Sequence, residues 1–474
     1  MPREDIAIVG MACVFPRAPD LECYWENIIA KVDAISEPPD DWGADHVLDP
    51  DSTANDRIYC ARGGYLGELA RFDPLEYGIM PVSVDGGEPD HYLALRLADE
   101  ALTDAGYDSQ AVDGERVGVI LGRGTYINRG WATLFQHGVV VDQTLRILRK
   151  LRPEYTSEEL LRIKGQLKAS LPPFNAETAP ALVPNIITGR IANRLNLMGP
   201  NYLVDAACAS ALVALDAAVR DLLTRKCDLM LVGGVHASTP PPLHMIFCQL
   251  NALSHGCQIR PFDKAADGTM LGEGAGLVVL KRREQAERDG DRIYALVKGI
   301  GVSSDGRGAA LMAPRLEGEV LALRRAYQMA GISPRTIGLI EAHGTGTIMG
   351  DPTEIRALRE VFGSRNGEDS PTCALGTVKS MIGHTLPAAG AAGLIKAALA
   401  LHQRILPPTL HCDEPNPALE LEKTPFFIST ETRPWIHGET DYPRRAGVNA
   451  FGFGGINAHV ILEEYVDAGA RSER

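Results

Sequence analysis

Residues 202–223 read YLVDAACASALVALDAAVRDLL, which predicts a short strand, a sharp turn and then a helix, with Cys208 at the turn. Backbone N–H groups at a helix N-terminus carry partial positive charge, so they stabilise a thiolate and the oxyanion of a tetrahedral intermediate. The small residues around Cys208 leave room for a substrate to approach the sulfur. A single cysteine among nine is more often buried and inert, so the assignment of a nucleophile depends on histidines elsewhere in the chain.

The rest of the chain repeats this alternation of strand and helix, which indicates an α/β fold. Short β-branched runs predict buried parallel strands at 6–10, 117–122, 202–206 and 229–233, and helical patterns cover 91–105 and 209–223. After residue 260 the pattern restarts, with strands predicted at 275–280, 294–302, 337–340, 374–378 and 458–462. We therefore expect two α/β halves. The first, 1–260, carries Cys208; the second is 261–464, and a polar tail follows at 465–474.

Composition narrows the class of protein. The chain has 474 residues, of which 45% are hydrophobic, so it can bury a large core. Its net charge of −14 argues against nucleic acid as the main partner. No apolar run is long enough to span a membrane, and the N-terminus has no signal-peptide pattern. We expect a cytoplasmic protein.

The cysteines and the densest charged segment have ordinary explanations. The nine cysteines are scattered and include no CxxC pair, which predicts neither a disulfide framework nor a zinc site. The charged stretch 143–168 is typical of a solvated surface excursion.

Two of the twelve histidines follow predicted strands and lie in turns of small residues. His343 opens HGTGT after the strand IGLIEA, and His384 lies in TVKSMIGHT, five residues after Lys379. Two imidazole N–H donors aimed at one oxygen can stabilise negative charge that develops there, as in the enolate that a decarboxylation produces. A hydrolase would instead need one histidine close to the cysteine and a third group that orients it. Thr345 and Thr347 add hydroxyl groups able to bind the amides of a pantetheine arm.

A glycine-rich turn precedes the last predicted strand, in GVNAFGFGGINAHVILEE at 447–464. Gly454 and Gly455 permit positive φ and leave space for a pantetheine arm or acyl chain. Such a turn can aim the N–H of Phe453 at the same oxygen as the N–H of Cys208, which would complete an oxyanion hole. We do not interpret the stretch as a nucleotide site, because the sequence has no GxGxxG that opens a helix and no Walker lysine.

Taken together, these motifs resemble the β-ketoacyl synthase family of the thiolase superfamily, in particular the ketosynthase domains of type I polyketide synthases. The similarity covers nearly the whole chain. It is carried by IAIVGMACVFP at 6–16, GPNYLVDAACAS at 199–210, RPFDKAADGTMLGEGAG at 260–276, EAHGTGT at 341–347, GDPTE at 350–354, VKSMIGHT at 378–385 and FGFGGINAH at 451–459.

The resemblance implies a five-layered αβαβα fold of two similar halves, nearly always a homodimer. It implies that Cys208 accepts the acyl group and that His343 and His384 are the catalytic histidines. Lys379 matches a lysine that pairs in the family with an acidic residue, here Glu354. The implied reaction is a decarboxylative Claisen condensation of the Cys-bound acyl group with malonyl-acyl carrier protein. The implied enzyme has no intrinsic cofactor and no metal, and its substrates are carried on the phosphopantetheine of the carrier.

Several positions depart from the commoner modular pattern. Met381 stands where many modular ketosynthases have Asn, so a hydrogen bond from that position must be absent or replaced. The chain also has DAACAS, GINAH and NAFGFGG in place of DTACSS, GTNAH and SSFGFGG. Three stretches are similar to the ketosynthases of iterative synthases that make polyunsaturated fatty acids, heterocyst glycolipids and enediynes: VKSMIGHT, DAACAS and PVSVDGGEPD.

Two alternative functions stay open. A non-elongating gatekeeper or acyl-transfer ketosynthase would only hold or pass on acyl chains, although such domains usually lack the cysteine or a histidine. A thiolase or thioesterase would use the cysteine without decarboxylation. Thiolases need a second cysteine in a glycine-rich turn, whereas Cys412 lies in LHCDEPNP.

The expected partners follow from what the sequence lacks. Neither a GHSxG acyltransferase elbow nor a DSL-type phosphopantetheine site is present, so an acyltransferase, an acyl carrier protein and other synthase domains must lie on the same or other chains. The acidic surface of a carrier protein calls for a basic patch. The candidates are the Arg and Lys residues at 220–226 and 281–283.

Overall fold

Strands and helices alternate along the chain, and a computed structural model describes residues 4–85, 87–108, 113–124, 128–176, 178–308, 310–365, 370–438 and 440–467. The strands are β1 (Ile6–Val14), β2 (Val117–Gly122), β3 (Asn201–Val204), β4 (Leu229–His236), β5 (Gly274–Arg282), β6 (Ala295–Ser304), β7 (Leu339–Glu341), β8 (Cys373–Gly376), β9 (Ile405–Leu406), β10 (Phe426–Ile428), β11 (Arg433–Pro434), β12 (Arg445–Gly452) and β13 (Ile456–Glu463).

The helices connect these strands. They are α1 (Leu21–Ile29), α2 (Val82–Asp85), α3 (Pro89–Asp104), α4 (Arg129–Phe135), α5 (Val141–Leu151), α6 (Ser157–Ala169), α7 (Thr178–Ala181), α8 (Ile186–Arg194), α9 (Ser210–Leu223), α10 (Pro241–Gln249), α11 (Arg283–Asp289), α12 (Leu316–Ala330), α13 (Gly350–Phe362), α14 (Lys379–Ile382) and α15 (Ala389–Gln403). Short 3-10 turns lie at Asp40–Trp42, Ala44–His46, Gly67–Leu69, Gly114–Arg116, Pro334–Thr336, Leu386–Ala388, Pro417–Leu419 and Leu421–Lys423, and a π-helical turn at Gln136–Val140.

Within the described residues, eleven strands form one mixed sheet in the order β10-β8-β7-β12-β13-β6-β1-β5-β4-β2-β3. This order contains one arrangement twice. In β3-β2-β4-β5-β1, two parallel pairings are followed by two antiparallel ones, and β8-β7-β12-β13-β6 repeats those pairings. The two groups meet where residues 6–8 of β1 pair with 295–297 of β6. The predicted α/β fold of two similar halves is confirmed.

Helices form the layers on either side of the strands. α9 and α15 contact both groups of strands in one shared core cluster. α3 and α8 cover the other face of the first group, and α12 and α13 cover that of the second. α15 is buried along nearly its whole length, which its run of Ala, Gly and Leu allows. The layers therefore follow the order αβαβα.

The first half extends further along the chain than the sequence predicts. β5 follows residue 260, yet it pairs with β4 and β1 of the first group. By strand pairing, the two halves join between Arg282 and Ala295, later than the boundary expected near residue 260. Most of the predicted polar tail, 468–474, lies outside the described residues.

β3 also differs from its prediction as a buried strand. It lies at the edge of the sheet, pairs with β2 alone among the described strands, and is half-buried or exposed. Leu203 and Val204 still pack against core clusters on opposite faces. An apolar run therefore indicates that the two faces of a strand are covered. It does not indicate whether another strand is hydrogen-bonded along each of its two edges.

A disulfide joins Cys60 to Cys257, a pairing that the sequence does not predict. The two residues are 197 positions apart, so no spacing motif marks them. The other seven cysteines are free.

The predicted surface excursion at 143–168 forms α5 and α6, which are largely exposed. No described helix is both long and apolar enough to cross a membrane.

Candidate active site

Cys208 lies in a tight turn between β3 and α9. Ala207, the residue before it, has a φ of 47°, a left-handed conformation that turns the chain sharply. The Ser210 hydroxyl closes the turn, because it donates to Ala207 O at 2.6 Å and accepts from Ala206 N at 2.8 Å. The predicted strand, turn and helix are confirmed. Cys208 is 3% exposed at the start of the helix.

Burial of the Cys208 sulfur and its polar neighbours shift the pKa of the thiol in opposite directions. Burial raises the pKa of the thiol to about 11. The Lys379 ammonium and the backbone N–H groups of Phe453 and of Cys208 itself lower the pKa, because they favour the thiolate. The two N–H groups therefore lie beside the sulfur, where the oxyanion hole is predicted. At neutral pH the free protein holds Cys208 as a thiol.

Glycines bring the turn that carries Phe453 against the Cys208 turn. Gly454 and Gly455 have φ values of 86° and 77°, which side chains other than glycine rarely adopt. A Cβ at Gly452 would lie 2.7 Å from a backbone oxygen of the Cys208 turn. Gly452 therefore permits the close approach that places the Phe453 N–H next to the sulfur.

His343 follows β7 and is held through its backbone. Its N–H donates to Glu354 Oε1 at 2.7 Å, and the N–H of Gly344 donates to Glu354 Oε2 at 2.8 Å. The Asn449 amide also donates to Glu354 Oε1, at 2.7 Å. His343 Nδ1 is buried and has no hydrogen-bond partner in the described part of the chain. Within that part of the chain, no hydrogen bond to Nδ1 therefore fixes the tautomer of His343.

His384 lies close to His343, and its tautomer is fixed by the backbone. The N–H of Leu386 donates to His384 Nδ1 at 3.2 Å, so the proton of the neutral ring is on Nε2. The two imidazole centroids are 5.4 Å apart, with an angle of 83° between the rings. Burial, followed by the Lys379 charge, lowers the pKa of both histidines well below its usual value. Both rings are therefore neutral at pH 7.

Lys379 is 3% exposed and interacts with its neighbours through charge. Burial lowers its pKa, and Glu341 and Glu354 oppose that shift. The direct pair with Glu354 that the resemblance implies is not formed, since no N–O distance within 4.0 Å joins the two side chains in the described structure. Glu341, the other carboxylate that acts on Lys379, forms a buried ion pair with Lys396 at 2.6 Å. The interaction of Lys379 with Glu354 is a longer-range attraction.

One cavity of about 550 Å³ contains the cluster. Its lining includes the predicted residues Cys208, Glu354, His343, His384, Phe453, Thr345, Thr347, Gly454 and Gly455. Lys379 is not part of this lining and acts on the cluster through its charge. The hydroxyls of Thr345 and Thr347 are 3.0 Å apart. Exposed apolar side chains also line the cavity: Leu250, Leu311, Met312, Ile348, Met349. The cavity therefore combines a polar reactive end with apolar walls.

Sequence reasoning missed the residues that support this cluster from behind. Asn449 and Glu341 lie inside quoted motifs, but nothing in their spacing shows which groups they contact. Asp351, from GDPTE, accepts from the N–H groups of Phe262 and Gly346, and burial raises its pKa to about 7. Met381 is 1% exposed and packs into the main core. Its apolar side chain makes no hydrogen bond there, so the bond that an Asn could make at this position is absent.

The fold and the cluster define a class of enzyme. A cysteine at a helix start, beside a pair of backbone N–H donors and two neutral imidazoles, suits acyl transfer through a thioester. On a duplicated αβαβα fold, this is the layout of a thiolase-like acyltransferase.

The chain belongs to the β-ketoacyl synthase family. The family model for the β-ketoacyl synthase N-terminal domain matches residues 3–286, and that for the C-terminal domain matches 294–413. A third model, the ketoacyl-synthetase C-terminal extension, matches 415–474. The chain is therefore a ketosynthase, an acyltransferase that performs the condensation step of chain elongation.

Curated relatives include two kinds of synthase. The chain is 39% identical to polyketide synthase PksN of Bacillus subtilis (strain 168), over 98% of this chain and 8% of that protein. It is 37% identical to a component of the polyunsaturated fatty acid synthase of Thraustochytrium sp., over 97% of this chain and 16% of that protein. The chain thus spans a small part of these relatives. The two identities are nearly equal, so the similarity to iterative synthases stays a prediction.

Solved ketosynthases share the fold. The ketosynthase from module 6 of the bacillaene synthase from Bacillus subtilis 168 is 34% identical, with a TM-score of 0.83 over 98% of this chain and 73% of that one. The oxazolomycin ketosynthase domain OzmH KS7 of Streptomyces albus JA3453 is 33% identical, with a TM-score of 0.83 over 98% of this chain and 74% of that one.

Proposed function

We propose that Cys208 holds the growing acyl chain and that His343 and His384 drive decarboxylation of a malonyl unit beside it. The observation that carries this proposal is the pair of neutral imidazoles, 5.4 Å apart, in the cavity that Cys208 also lines. Each neutral ring carries one N–H group, which can donate a hydrogen bond to a developing enolate.

In the first half-reaction, the Cys208 thiolate attacks the carbonyl carbon of an acyl thioester. The N–H groups of Cys208 and Phe453 stabilise the oxyanion that forms, because they already lie beside the sulfur. The carbon–sulfur bond to the incoming carrier then breaks, and the carrier's sulfur leaves as a thiol with the proton that Cys208 released. The product is an acyl group on Cys208.

In the second half-reaction, the bond between the malonyl carboxylate and its α-carbon breaks and carbon dioxide leaves. The electron pair moves onto the thioester oxygen as an enolate, which accepts hydrogen bonds from His343 and His384 Nε2. The α-carbon then attacks the carbonyl carbon of the acyl-Cys208 thioester. Cys208 leaves as a thiolate, and the β-ketoacyl product stays on the carrier.

Thr345 and Thr347 support the view that the substrates arrive on a phosphopantetheine arm of an acyl carrier protein. Their hydroxyls line the cavity at the distance of a mutual hydrogen bond, which they can exchange for bonds to the amides of the arm. Gly454 and Gly455 add no side chains to the same wall. The chemistry needs no resident cofactor. We place the chain among the domains of a larger synthase that supplies the acyltransferase and the carrier.

The carrier protein needs a basic surface, and α5 offers one. The cations first considered, at 220–226 and 281–283, are all engaged in ion pairs with acidic neighbours. Arg146, Arg149 and Lys150 are exposed and have no ion pair within the described structure. They are three and four positions apart on α5, so they share one face of the helix. We propose that an acidic carrier protein docks on this face.

The same proposal includes a homodimer formed through β3. An edge strand presents unpaired N–H and C=O groups, and a second copy of the strand can satisfy them. Tyr202, in the middle of β3, is 37% exposed.

Intact-protein mass spectrometry tests the proposed chemistry. Wild type and Cys208→Ala are incubated with an acyl thioester and then with malonyl-carrier protein. We expect wild type alone to gain the acyl mass and then to lose it, with release of carbon dioxide and formation of β-ketoacyl carrier protein. Cys208→Gln should lose acylation but keep malonyl decarboxylation. Stable acylation without transfer to the malonyl carrier would instead support the gatekeeper function.

A further inference from the structure

Glu354, which holds the backbone of His343, is itself held by a chain of three buried side chains. Asn449 Nδ2 donates to Glu354 Oε1 at 2.7 Å, His459 Nδ1 lies 2.6 Å from Asn449 Oδ1, and His459 Nε2 lies 3.3 Å from the Tyr327 hydroxyl. Asn449, His459 and Tyr327 are 2%, 0% and 6% exposed. Each of these groups is therefore shielded from competing water.

The direction of each hydrogen bond follows from what its partner can accept. Both oxygens of Glu354 already receive backbone N–H groups, so the Asn449 amide must face the carboxylate with its nitrogen and His459 with its oxygen. That oxygen needs a donor, which places the His459 proton on Nδ1. Burial lowers the pKa of His459 to about 3, so its Nε2 has no proton and accepts from Tyr327. All three bonds donate towards Glu354.

The chain is built into the sheet. Asn449 on β12 and His459 on β13 are directly paired across the two strands. A Cβ at Gly447 would lie 2.7 Å from His459 Cε1, so the space for the imidazole depends on a glycine in the same strand as Asn449. Tyr327 comes from α12, which covers the outer face. β12, β13 and α12 thus contribute one residue each to the chain of hydrogen bonds that ends at the Glu354 carboxylate.

We propose that Asn449, His459 and Tyr327 are positioning residues that keep Glu354 ionised and oriented, and so hold the turn that presents His343 to the malonyl thioester. Burial raises the pKa of Glu354, and the Asn449 amide is among the donors that oppose this shift. If Glu354 gained a proton or rotated, it would no longer accept from both N–H groups of the His343 turn. This inference rests on the proposed role of His343 in decarboxylation.

Two substitutions of similar size at His459 test the inference. His459→Asn places an amide nitrogen where Nδ1 was, so it still donates to Asn449. His459→Gln places its amide where Nε2 was, and the bond to Asn449 is lost. We expect His459→Gln to lower malonyl decarboxylation at least about tenfold, while His459→Asn stays within about threefold of wild type. Acylation of Cys208, which does not use His343, should stay within about twofold for both variants.

Tyr327→Phe and its matched control Tyr294→Phe extend the test to the end of the chain. Tyr294 is also 6% exposed and hydrogen-bonded, but its hydroxyl binds Asp104. We expect Tyr327→Phe to lower decarboxylation a few-fold and Tyr294→Phe to leave it unchanged. Equal loss of acylation and decarboxylation in His459→Gln, or equal rates for His459→Gln and His459→Asn, would overturn the inference.

His343→Ala separates this inference from the proposed function. If decarboxylation survives in His343→Ala, the proposed role of His343 is wrong, and the inference is overturned with it. If decarboxylation is lost in His343→Ala but persists at the wild-type rate in His459→Gln, only the positioning chain is wrong.

Discussion

Cys208 has to lose its proton before its sulfur can attack a thioester, and burial opposes that step. The same burial keeps His343 and His384 neutral, so each imidazole has one N–H group to donate to the proposed enolate. Burial therefore disfavours the free thiolate and at the same time favours neutral histidines. The charge of Lys379 lowers the pKa of the thiol and of the two imidazoles, so it opposes the effect of burial on Cys208 and adds to its effect on the histidines.

The first prediction concerns the pH dependence of Cys208. With a thiol pKa of about 11, the thiolate fraction should rise about tenfold with each pH unit between 7 and 10. Alkylation of Cys208 by iodoacetamide, followed by peptide mass spectrometry, should accelerate in proportion and show no plateau below pH 10.

Lys379→Met extends the same measurement. Removal of the ammonium should raise the pKa of Cys208 further and slow its alkylation about tenfold at a given pH. Lys379→Arg retains the charge and serves as the control. A plateau near pH 8 in wild type would show that the thiolate is far better stabilised than its burial indicates.

At the scale of elements, the site depends on the contact between two turns that are far apart in sequence. The Cys208 turn precedes α9, and the Phe453 turn joins β12 to β13. Neither turn alone would form the proposed oxyanion hole, because each contributes one N–H group. Gly452 sets how closely the two can approach.

Gly452→Ala should separate the two turns. The new Cβ would lie 2.7 Å from a backbone oxygen, so the backbone must shift, at a cost of about 1–3 kcal/mol in the free energy of unfolding. We expect Cys208 acylation to fall at least about tenfold, because one oxyanion donor is displaced.

Gly165→Ala is the control, since a Cβ there meets nothing within 4 Å on the exposed helix α6. It should raise the free energy of unfolding by up to about 1 kcal/mol and leave acylation unchanged. Acylation at the wild-type rate in Gly452→Ala would contradict the two-donor oxyanion hole.

The docking prediction belongs to α5. The triple variant Arg146→Glu, Arg149→Glu and Lys150→Glu reverses the charge of the proposed docking face. We expect KM for malonyl-carrier protein to rise at least about tenfold at low salt, because electrostatic attraction governs encounter. Rates with malonyl-N-acetylcysteamine, which needs no docking, should not change.

A matched triple variant at Arg220, Arg225 and Lys226 provides the comparison. These cations are paired with Asp216, Glu4 and Asp221, and reversing them should affect KM much less. The opposite ranking of the two triple variants would place the carrier at 220–226.

The sequence predicts individual strands and helices better than it predicts the contacts between distant segments. The strand, turn and helix around Cys208 were predictable because apolar periodicity reports which faces are buried. The edge position of β3, the Cys60–Cys257 bridge and the donors to Glu354 were not, because they depend on segments brought together only by the fold. The tautomer of His384 likewise depends on one backbone N–H, that of Leu386.

For the whole molecule, the exposed edge at β3 predicts how the chain assembles. Sedimentation velocity should show a species of twice the chain mass. Tyr202→Lys places a charge in the middle of the edge strand and should weaken the dimer at least about tenfold, since charged residues on sheet edges oppose pairing. Thr144→Lys, at a half-buried position of α5, controls for added charge. A monomeric wild type would exclude dimerisation through β3.

The repeated strand arrangement has a consequence for how this chemistry could arise. The Cys208 turn follows β3 and leads into α9, and the turn with Lys379 and His384 follows β8 and leads towards α15, the equivalent place in the other half. We infer that the two equivalent turns have different tasks: the Cys208 turn would hold the acyl group, and the turn with Lys379 and His384 would help to form the carbanion. Loss of either task would leave the scaffold intact, so the same fold could serve as a gatekeeper that holds acyl chains without extending them.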